Sequence, residues 1–164
     1  MIKLIVLDVD GCLSDGKLTF SSDGVETKSF NVKDGLAISS WIKMGNHVAI
    51  ITGRKSNIVT RRAKELGIKH LYQGVKDKQG VLRELMESLG LNFFEVAAIG
   101  DDLNDYHMLR LVGKSFTPHD GVKEIKEIVK RVLEKKGGDG VVREMIDILV
   151  DENDQREDFM RVWI

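Results

Sequence analysis

The sequence predicts an α/β protein built on a doubly wound, Rossmann-like parallel sheet with helices on both faces. Two observations carry that expectation. Short β-branched apolar runs, beginning with "IKLIVLDV", alternate with longer segments of helical period, as in βαβ units whose crossover helices cover a parallel sheet. Glycines punctuate the alternation: Gly45, Gly67, Gly90 and Gly113 each follow a helical segment, where a residue free to adopt positive φ closes the last turn.

"IKLIVLDV" is a buried strand that runs straight into Asp8 and Asp10. From Lys17 to Phe30, "KLTFSSDGVETKSF" breaks the rhythm and reads as two strands around Ser22-Asp23-Gly24, a β-hairpin excursion from the sheet. Then come the helix "GLAISSWIKMG", the strand "HVAIITG", the helix "SNIVTRRAKELG", the strand "KHLYQG", the helix "DKQGVLRELMESLG", the strand "EVAAIGD", the helix "DYHMLRLVG" and the strand "KSFTP". "GVKEIKEIVKRVLEKK" is expected to be one amphipathic helix, its basic finish complementing the negative end of the helix dipole. The loop Gly137-Gly138-Asp139-Gly140 leads to another helix. In the tail, about 152–164, Phe159, Val162, Trp163 and Ile164 call for a groove, such as one on a second subunit, or else end in a frayed helix.

Composition narrows the function. The 164 residues, 42% hydrophobic with one proline, suit a single domain over 1–164. With 25 basic and 26 acidic residues the net charge is −1, so no broad field marks a nucleic-acid or anionic-membrane binder. Cys12, the single cysteine, rules out an internal disulfide and suits a reducing compartment. No run approaches the ~20 apolar residues of a membrane helix, and "MIKLIVL" is too short, and interrupted by Lys3, for a signal peptide. A cytoplasmic protein is expected.

Ligand crevices in open α/β sheets lie beyond the carboxyl ends of the strands. Asp8 and Asp10, Thr52-Gly53-Arg54, Lys78, and Gly100-Asp101-Asp102 with Asp105 all fall there. Any one of them has a bland explanation, as a helix cap, a turn or a solvated charge. Together they are harder to dismiss, because three or more converging carboxylates repel by several kcal/mol unless a cation or a shared proton intervenes. Oxygen-only ligands favour Mg²⁺, which keeps waters and binds substrate phosphate, and Thr52, Lys78 and loop amides could supply a phosphate's donors. Other motifs fail. An EF-hand from Asp8 would need an oxygen ligand at Cys12 and glycine at Leu13, a cysteine phosphatase would need arginine at Leu18, and Gly53-Arg54-Lys55-Ser56 lacks the upstream glycine of a phosphate-binding loop. Cys12 is then a small packed side chain. His107 and His119 are not needed by this chemistry.

The ordered set "DVDG", "IITG", Lys78 and "GDDLND" resembles the four motifs of the haloacid dehalogenase superfamily. "FNVKDG", "ITGRKS", "LYQG", "IGDDLND" and "GGDGVVRE" are similar to the 3-deoxy-D-manno-octulosonate 8-phosphate phosphatase family and extend the match to about residue 150. That resemblance implies a capless Mg²⁺-dependent phosphatase of lipopolysaccharide precursor synthesis, assembled as a homotetramer through the hairpin. It implies Asp8 as nucleophile and Asp10 as acid, then base. Mg²⁺ would be held by the Asp8 carboxylate, the Asp10 carbonyl and Asp101, with Asp102 close by. Thr52 and Lys78 would bind phosphate and Asp105 would orient Lys78 or the metal shell, Lys76 being the rival lysine. Arg54 and Arg62, with Gly53, are candidates for the sugar acid's carboxylate, since planar guanidinium forks suit bidentate pairing. Two further readings stay open: a nine-carbon, sialic-type 9-phosphate as substrate, from which Arg54 in place of glutamate leans away, and a non-catalytic assembly or regulatory protein on the same scaffold. Asp139 stands where an arginine is common in the family, and "SFTPHDGVKE" departs from its "AVADA" pattern.

Overall fold

The computed structural model describes residues 1–164. The strands are β1 (Leu4–Leu7), β2 (Thr19–Phe20), β3 (Glu26–Thr27), β4 (His47–Ile51), β5 (His70–Tyr72), β6 (Val96–Ile99), β7 (Lys114–Thr117) and β8 (Arg131–Val132). The helices are α1 (Val32–Lys43), α2 (Asn57–Leu66), α3 (Lys78–Leu89), α4 (Tyr106–Leu111), α5 (Lys123–Lys126), α6 (Val141–Glu152) and α7 (Arg156–Arg161). Six strands form one sheet in the order β5-β4-β1-β6-β7-β8, and every neighbouring pair is parallel. The doubly wound sheet expected from the alternation is present, and no cap domain interrupts it.

Both faces of this sheet are covered, which is why its strands read as unbroken apolar runs. Successive residues of β1 point to opposite sides: Ile5 and Leu7 join the core formed with Ala37, Ile38 and Trp41 of α1, Val59 and Ala63 of α2, and α6. Leu4 and Val6 join the core formed with Leu82, Leu85 and Met86 of α3, Met108 and Leu109 of α4, and Ile125. The pairing of α1 with α6 carries a further device. Asp34 of α1 accepts the Arg143 N–H at 2.7 Å and so caps α6, whose preceding residue, Gly140, has no side chain to do so. Burial pushes the Asp34 carboxyl up to about 6.

Three expectations change. The segment 121–136 is not one helix: α5 stops at Lys126 and the chain turns to lay β8 beside β7. The Leu133 N–H reaches the Thr117 carbonyl at 2.8 Å, and satisfying the otherwise open edge of β7 outweighs helix propensity in a lysine-rich stretch. Gly67 and Gly90 end their helices in the left-handed region as expected, but Gly113 does not have positive φ. It is small because the backbone of Phe93 and Phe94 passes where a Cβ would stand. The tail is not frayed: it forms α7, part of whose apolar face the chain itself covers, while Trp163 and Ile164 remain exposed. Phe159 of α7 is buried in the chain's own core, and the Trp163 indole N–H donates to Ser40 Oγ at 2.7 Å with Lys43 over its ring.

The hairpin excursion is present as β2 and β3, paired antiparallel with Thr19 opposite Thr27. It stands apart from the main sheet at the end where β1, β4 and β6 finish.

Candidate active site

The chain runs from β1 out to β4 and β5 on one side, then to β6, β7 and β8 on the other, so the order reverses at β1. Such a switch point opens a crevice beyond the strand ends. Asp8 follows β1, Thr52 follows β4, and Gly100-Asp101 follow β6. A cavity of about 280 Å³ lies there, lined by Asp8, Asp10, Thr52, Gly53, Arg54, Asp101 and Asp102, together with Gly16, Leu18 and Asn104.

The loop after β1 is unusual backbone. The Ser14 N–H returns to the Val9 carbonyl at 3.0 Å, and between them Gly11 sits at φ 96°. A side chain at Gly11 would be strained there and its Cβ would overlap the Asp101 carboxylate. Glycine therefore lets the loops after β1 and β6 close on each other. The Gly137-Gly140 loop lies against the same turn: the Gly138 N–H donates to the Cys12 carbonyl at 2.9 Å, and a Cβ on Gly137 would overlap the Gly11 carbonyl. Exposed Asp139 takes no part in that contact.

Beneath the cavity, the Lys78 ammonium donates to Asp8 Oδ1 at 2.7 Å and to Asp105 Oδ1 at 2.6 Å. All three side chains are at most 5% exposed. Asp105 uses its other oxygen to accept the Asp101 N–H at 3.1 Å and so fixes the loop after β6. Burial opposes the Lys78 charge, but the Asp8 and Asp105 carboxylates outweigh it and raise the ammonium's pKa. One cation does not balance the cluster. Burial, then Asp105, push the Asp8 carboxyl well above its usual range. Burial with Asp105 and Asp102 pushes Asp101 up to about 7.

This residual repulsion tests the fit of a cation. One ligand atom each from Asp8, Asp101 and Cys12 lies within 4.8 Å of the others. The fully buried Cys12 thiol is pushed up by desolvation and by Asp8, so it stays a neutral packed group rather than a thiolate ligand. Two carboxylates that resist ionising side by side, with loop carbonyls near, form the hard oxygen set that suits Mg²⁺.

The remaining expected residues separate. Thr52 is buried at the end of β4, its N–H bonded to the Tyr72 carbonyl and its own carbonyl to the Val75 N–H. Gly53 and Arg54 line the cavity, Arg54 Nε lying 4.0 Å from Asp10 Oδ2. Asp102 lies at the rim and caps the following turn by accepting the Leu103 N–H at 2.7 Å. Lys76 is exposed, outside the buried cluster. Arg62 lies apart. It is not in this cavity but one turn along α2, stacked near Phe30, 3.7 Å from Glu65 and against Gly35. Helical rotation from the first residues of α2 carries it to the face that packs on α1. His107 and His119 are exposed and outside the cavity.

Sequence reasoning missed Lys28. Its side chain is shielded from solvent and its ammonium hydrogen-bonds Asp10 Oδ1, with Glu26 Oε1 at 3.1 Å. Burial works against its charge, yet the bonds from Asp10 and Glu26 raise its pKa. The available signal was the alternation of Glu26 and Lys28 on one face of the returning hairpin strand.

A parallel sheet with an acid pair after β1, a hydroxyl after β4, a buried lysine at the start of α3 and an acid cluster after β6 defines a hydrolase of the haloacid dehalogenase type. A family model for haloacid dehalogenase-like hydrolases matches residues 70–145. The 3-deoxy-D-manno-octulosonate 8-phosphate phosphatase of Yersinia pestis is 41% identical over 156 residues, covering 95% of this chain and 83% of that protein. The Escherichia coli K12 enzyme of the same name is 42% identical over 149 residues, covering 91% and 79%. A crystal structure of the Moraxella catarrhalis phosphatase of that name, in complex with magnesium, phosphate and the sugar acid, superimposes with a TM-score of 0.95 at 40% identity. It covers 99% of this chain and 94% of that one. The chain belongs to the 3-deoxy-D-manno-octulosonate 8-phosphate phosphatase family.

Proposed function

We propose that this protein hydrolyses 3-deoxy-D-manno-octulosonate 8-phosphate to the free sugar acid and phosphate, in lipopolysaccharide precursor synthesis, with Mg²⁺ as cofactor. The observation that carries the reading is the convergence of Asp8, Asp10, Thr52 and Asp101 on one cavity above the buried Lys78, in a chain whose relatives bear that activity in their names.

The roles follow from position. An Asp8 carboxylate oxygen attacks phosphorus and forms an aspartyl phosphate. Asp10 protonates the departing sugar oxygen, then takes a proton from the water that hydrolyses the intermediate. Lys78, held between Asp8 and Asp105, keeps the nucleophile oriented and offers positive charge to the phosphoryl group, and Thr52 supplies a hydroxyl donor. The Asp8 carboxylate, the Asp10 carbonyl and Asp101 would hold Mg²⁺, with Asp102 at the rim of its hydration shell. When bound, the ion neutralises charge on the transferring phosphoryl group. Arg54, exposed at the cavity mouth, is the group suited to the substrate's carboxylate.

The whole chain acts as one phosphatase domain. A homotetramer is supported by the hairpin, which leaves Leu18, Phe20 and Val25 exposed, apolar groups that a neighbouring subunit would cover. The unpaired Cys12 suits the reducing cytoplasm. No helix is long and apolar enough to cross a membrane, and the net charge of −1 gives no basis for nucleic-acid binding.

Phosphate release from the eight-carbon sugar acid phosphate and from a nine-carbon 9-phosphate, with and without Mg²⁺, tests the reading. Mg²⁺-dependent turnover with the higher kcat/KM on the eight-carbon substrate is expected, and Asp8→Asn should lower it by roughly 10³-fold or more. Preference for the nine-carbon substrate would reassign the substrate. Full turnover by folded Asp8→Asn would remove Asp8 as nucleophile.

A further inference from the structure

The two acids after β1 are held in different ways. Asp8 is fixed from below by Lys78. The Asp10 side chain receives no hydrogen bond from the loop that carries it; its partner is Lys28, the residue directly after β3 of the hairpin. The geometry points to Lys28 as a positioning residue that pins Asp10 Oδ1 and leaves Oδ2 facing the cavity as the oxygen that passes the proton. This rests on the reading of Asp10 as proton shuttle.

An ammonium group only donates, so the oxygen it holds acts as an acceptor. With Oδ1 held, the direction of Oδ2 is set as well, because the carboxylate is planar and rigid. Arg54 Nε, at 4.0 Å from Oδ2, is beyond hydrogen-bonding range and leaves that oxygen open. Glu26 ties the arrangement together, its Oε1 lying 3.1 Å from the Lys28 ammonium and 3.7 Å from Arg54 Nη2. The hairpin is thereby part of the catalytic apparatus of its own chain, and whatever seats the hairpin also seats Asp10.

Two proton transfers depend on that placement. In the first, the bond from Asp8 to phosphorus forms while the bond from phosphorus to the sugar oxygen breaks. The bonding pair stays on that oxygen, which takes the proton from Asp10 Oδ2. In the second, water oxygen bonds phosphorus, the Asp8–phosphorus bond breaks, and the water's proton passes to the same Oδ2. A loosened Asp10 should therefore harm poor leaving groups most.

The test compares kcat/KM, which reports steps through leaving-group departure, for the sugar acid phosphate and for p-nitrophenyl phosphate, whose phenolate departs without a proton. Lys28→Met keeps the packed stem and removes the donor. It should lose ~10–100-fold on the sugar phosphate and about threefold or less on the aryl phosphate, with Lys28→Arg restoring part of the difference. Glu26→Gln, at a partly exposed side chain, should shift the ratio the same way by less, and it gives the ratio even if Lys28→Met fails to fold. Equal losses on both substrates in the folded variants, or none, would overturn the role of Lys28. Absence of wild-type turnover on either substrate would instead defeat the phosphatase reading itself.

Discussion

The two ends of the central sheet offer cavities of nearly equal size and opposite character. Beyond the carboxyl ends, about 280 Å³ is lined by four aspartates, Thr52 and Arg54. At the other end, about 230 Å³ is lined by Asn46, His47, Lys69, His70 and two loop glycines. Both contain titratable groups, and volume does not tell them apart. At the amino end Lys69 is a lone exposed charge, and His47 and His70 are half-buried imidazoles. His70 is held below its usual range by burial and the neighbouring His47, and its ring meets His47 edge to face at 6.1 Å. At the carboxyl end Asp8 and Asp105 share one buried lysine with Asp101 beside them, and burial together with the crowded carboxylates pushes Asp8 and Asp101 up toward neutrality. Unbalanced buried charge is costly to keep without a task, so the carboxyl end is the one organised for chemistry.

Removing a charge at each end sharpens that contrast. Lys78→Met should have the largest effect: it strips the cation from two buried carboxylates and should cost about 3 kcal/mol or more in urea unfolding without Mg²⁺, along with turnover. A loss below about 1 kcal/mol would mean that the cluster is not strained as its geometry indicates.

The next effect is in metal binding. Asp101 stands at about 7, so below that pH an incoming Mg²⁺ must displace a proton, whereas above it the carboxylate is already ionised. Apparent affinity measured by calorimetry without substrate should rise with pH through 7, by up to about tenfold per unit for each carboxyl that must ionise, since Asp8 is also held well above its usual range. Affinity that is flat from about pH 5.5 to 7.5 would break the link between the strained carboxyls and the ion.

The smallest effect belongs to the amino end. His70→Gln should leave turnover within about twofold and stability within about 1 kcal/mol, and a tenfold loss of activity there would erase the distinction between the two ends.

How much of this was legible in the sequence depended on range. β1, β4 and β6 are apolar on both faces, so their runs stand out, and their polar ends come together because a parallel sheet aligns all carboxyl ends. That is why Asp8, Thr52 and Asp101 could be grouped without coordinates. Lys78 could be assigned to the site, and Asp105 to its orientation, but not its second bond to Asp8, which depends on α3 packing under the loop after β6. Arg62 lies outside the cavity because a few residues along α2 turn a side chain from the crevice to the α1 face. The segment 121–136 failed because edge pairing with β7 is a tertiary demand absent from local periodicity. Lys28 was missed because the alternation of Glu26 and Lys28 marks one face of the hairpin without stating what that face will meet.

In the proposed mechanism the crowded acids at the carboxyl end let Asp8 take up a phosphoryl group. Borohydride trapping during turnover of the sugar acid phosphate, followed by mass spectrometry of the peptide containing residues 4–17, tests it most directly. Reduction of an aspartyl phosphate leaves homoserine, and the account predicts that residue at position 8 only when substrate and Mg²⁺ are both present. Homoserine at another position, or none during sustained phosphate release, would contradict it.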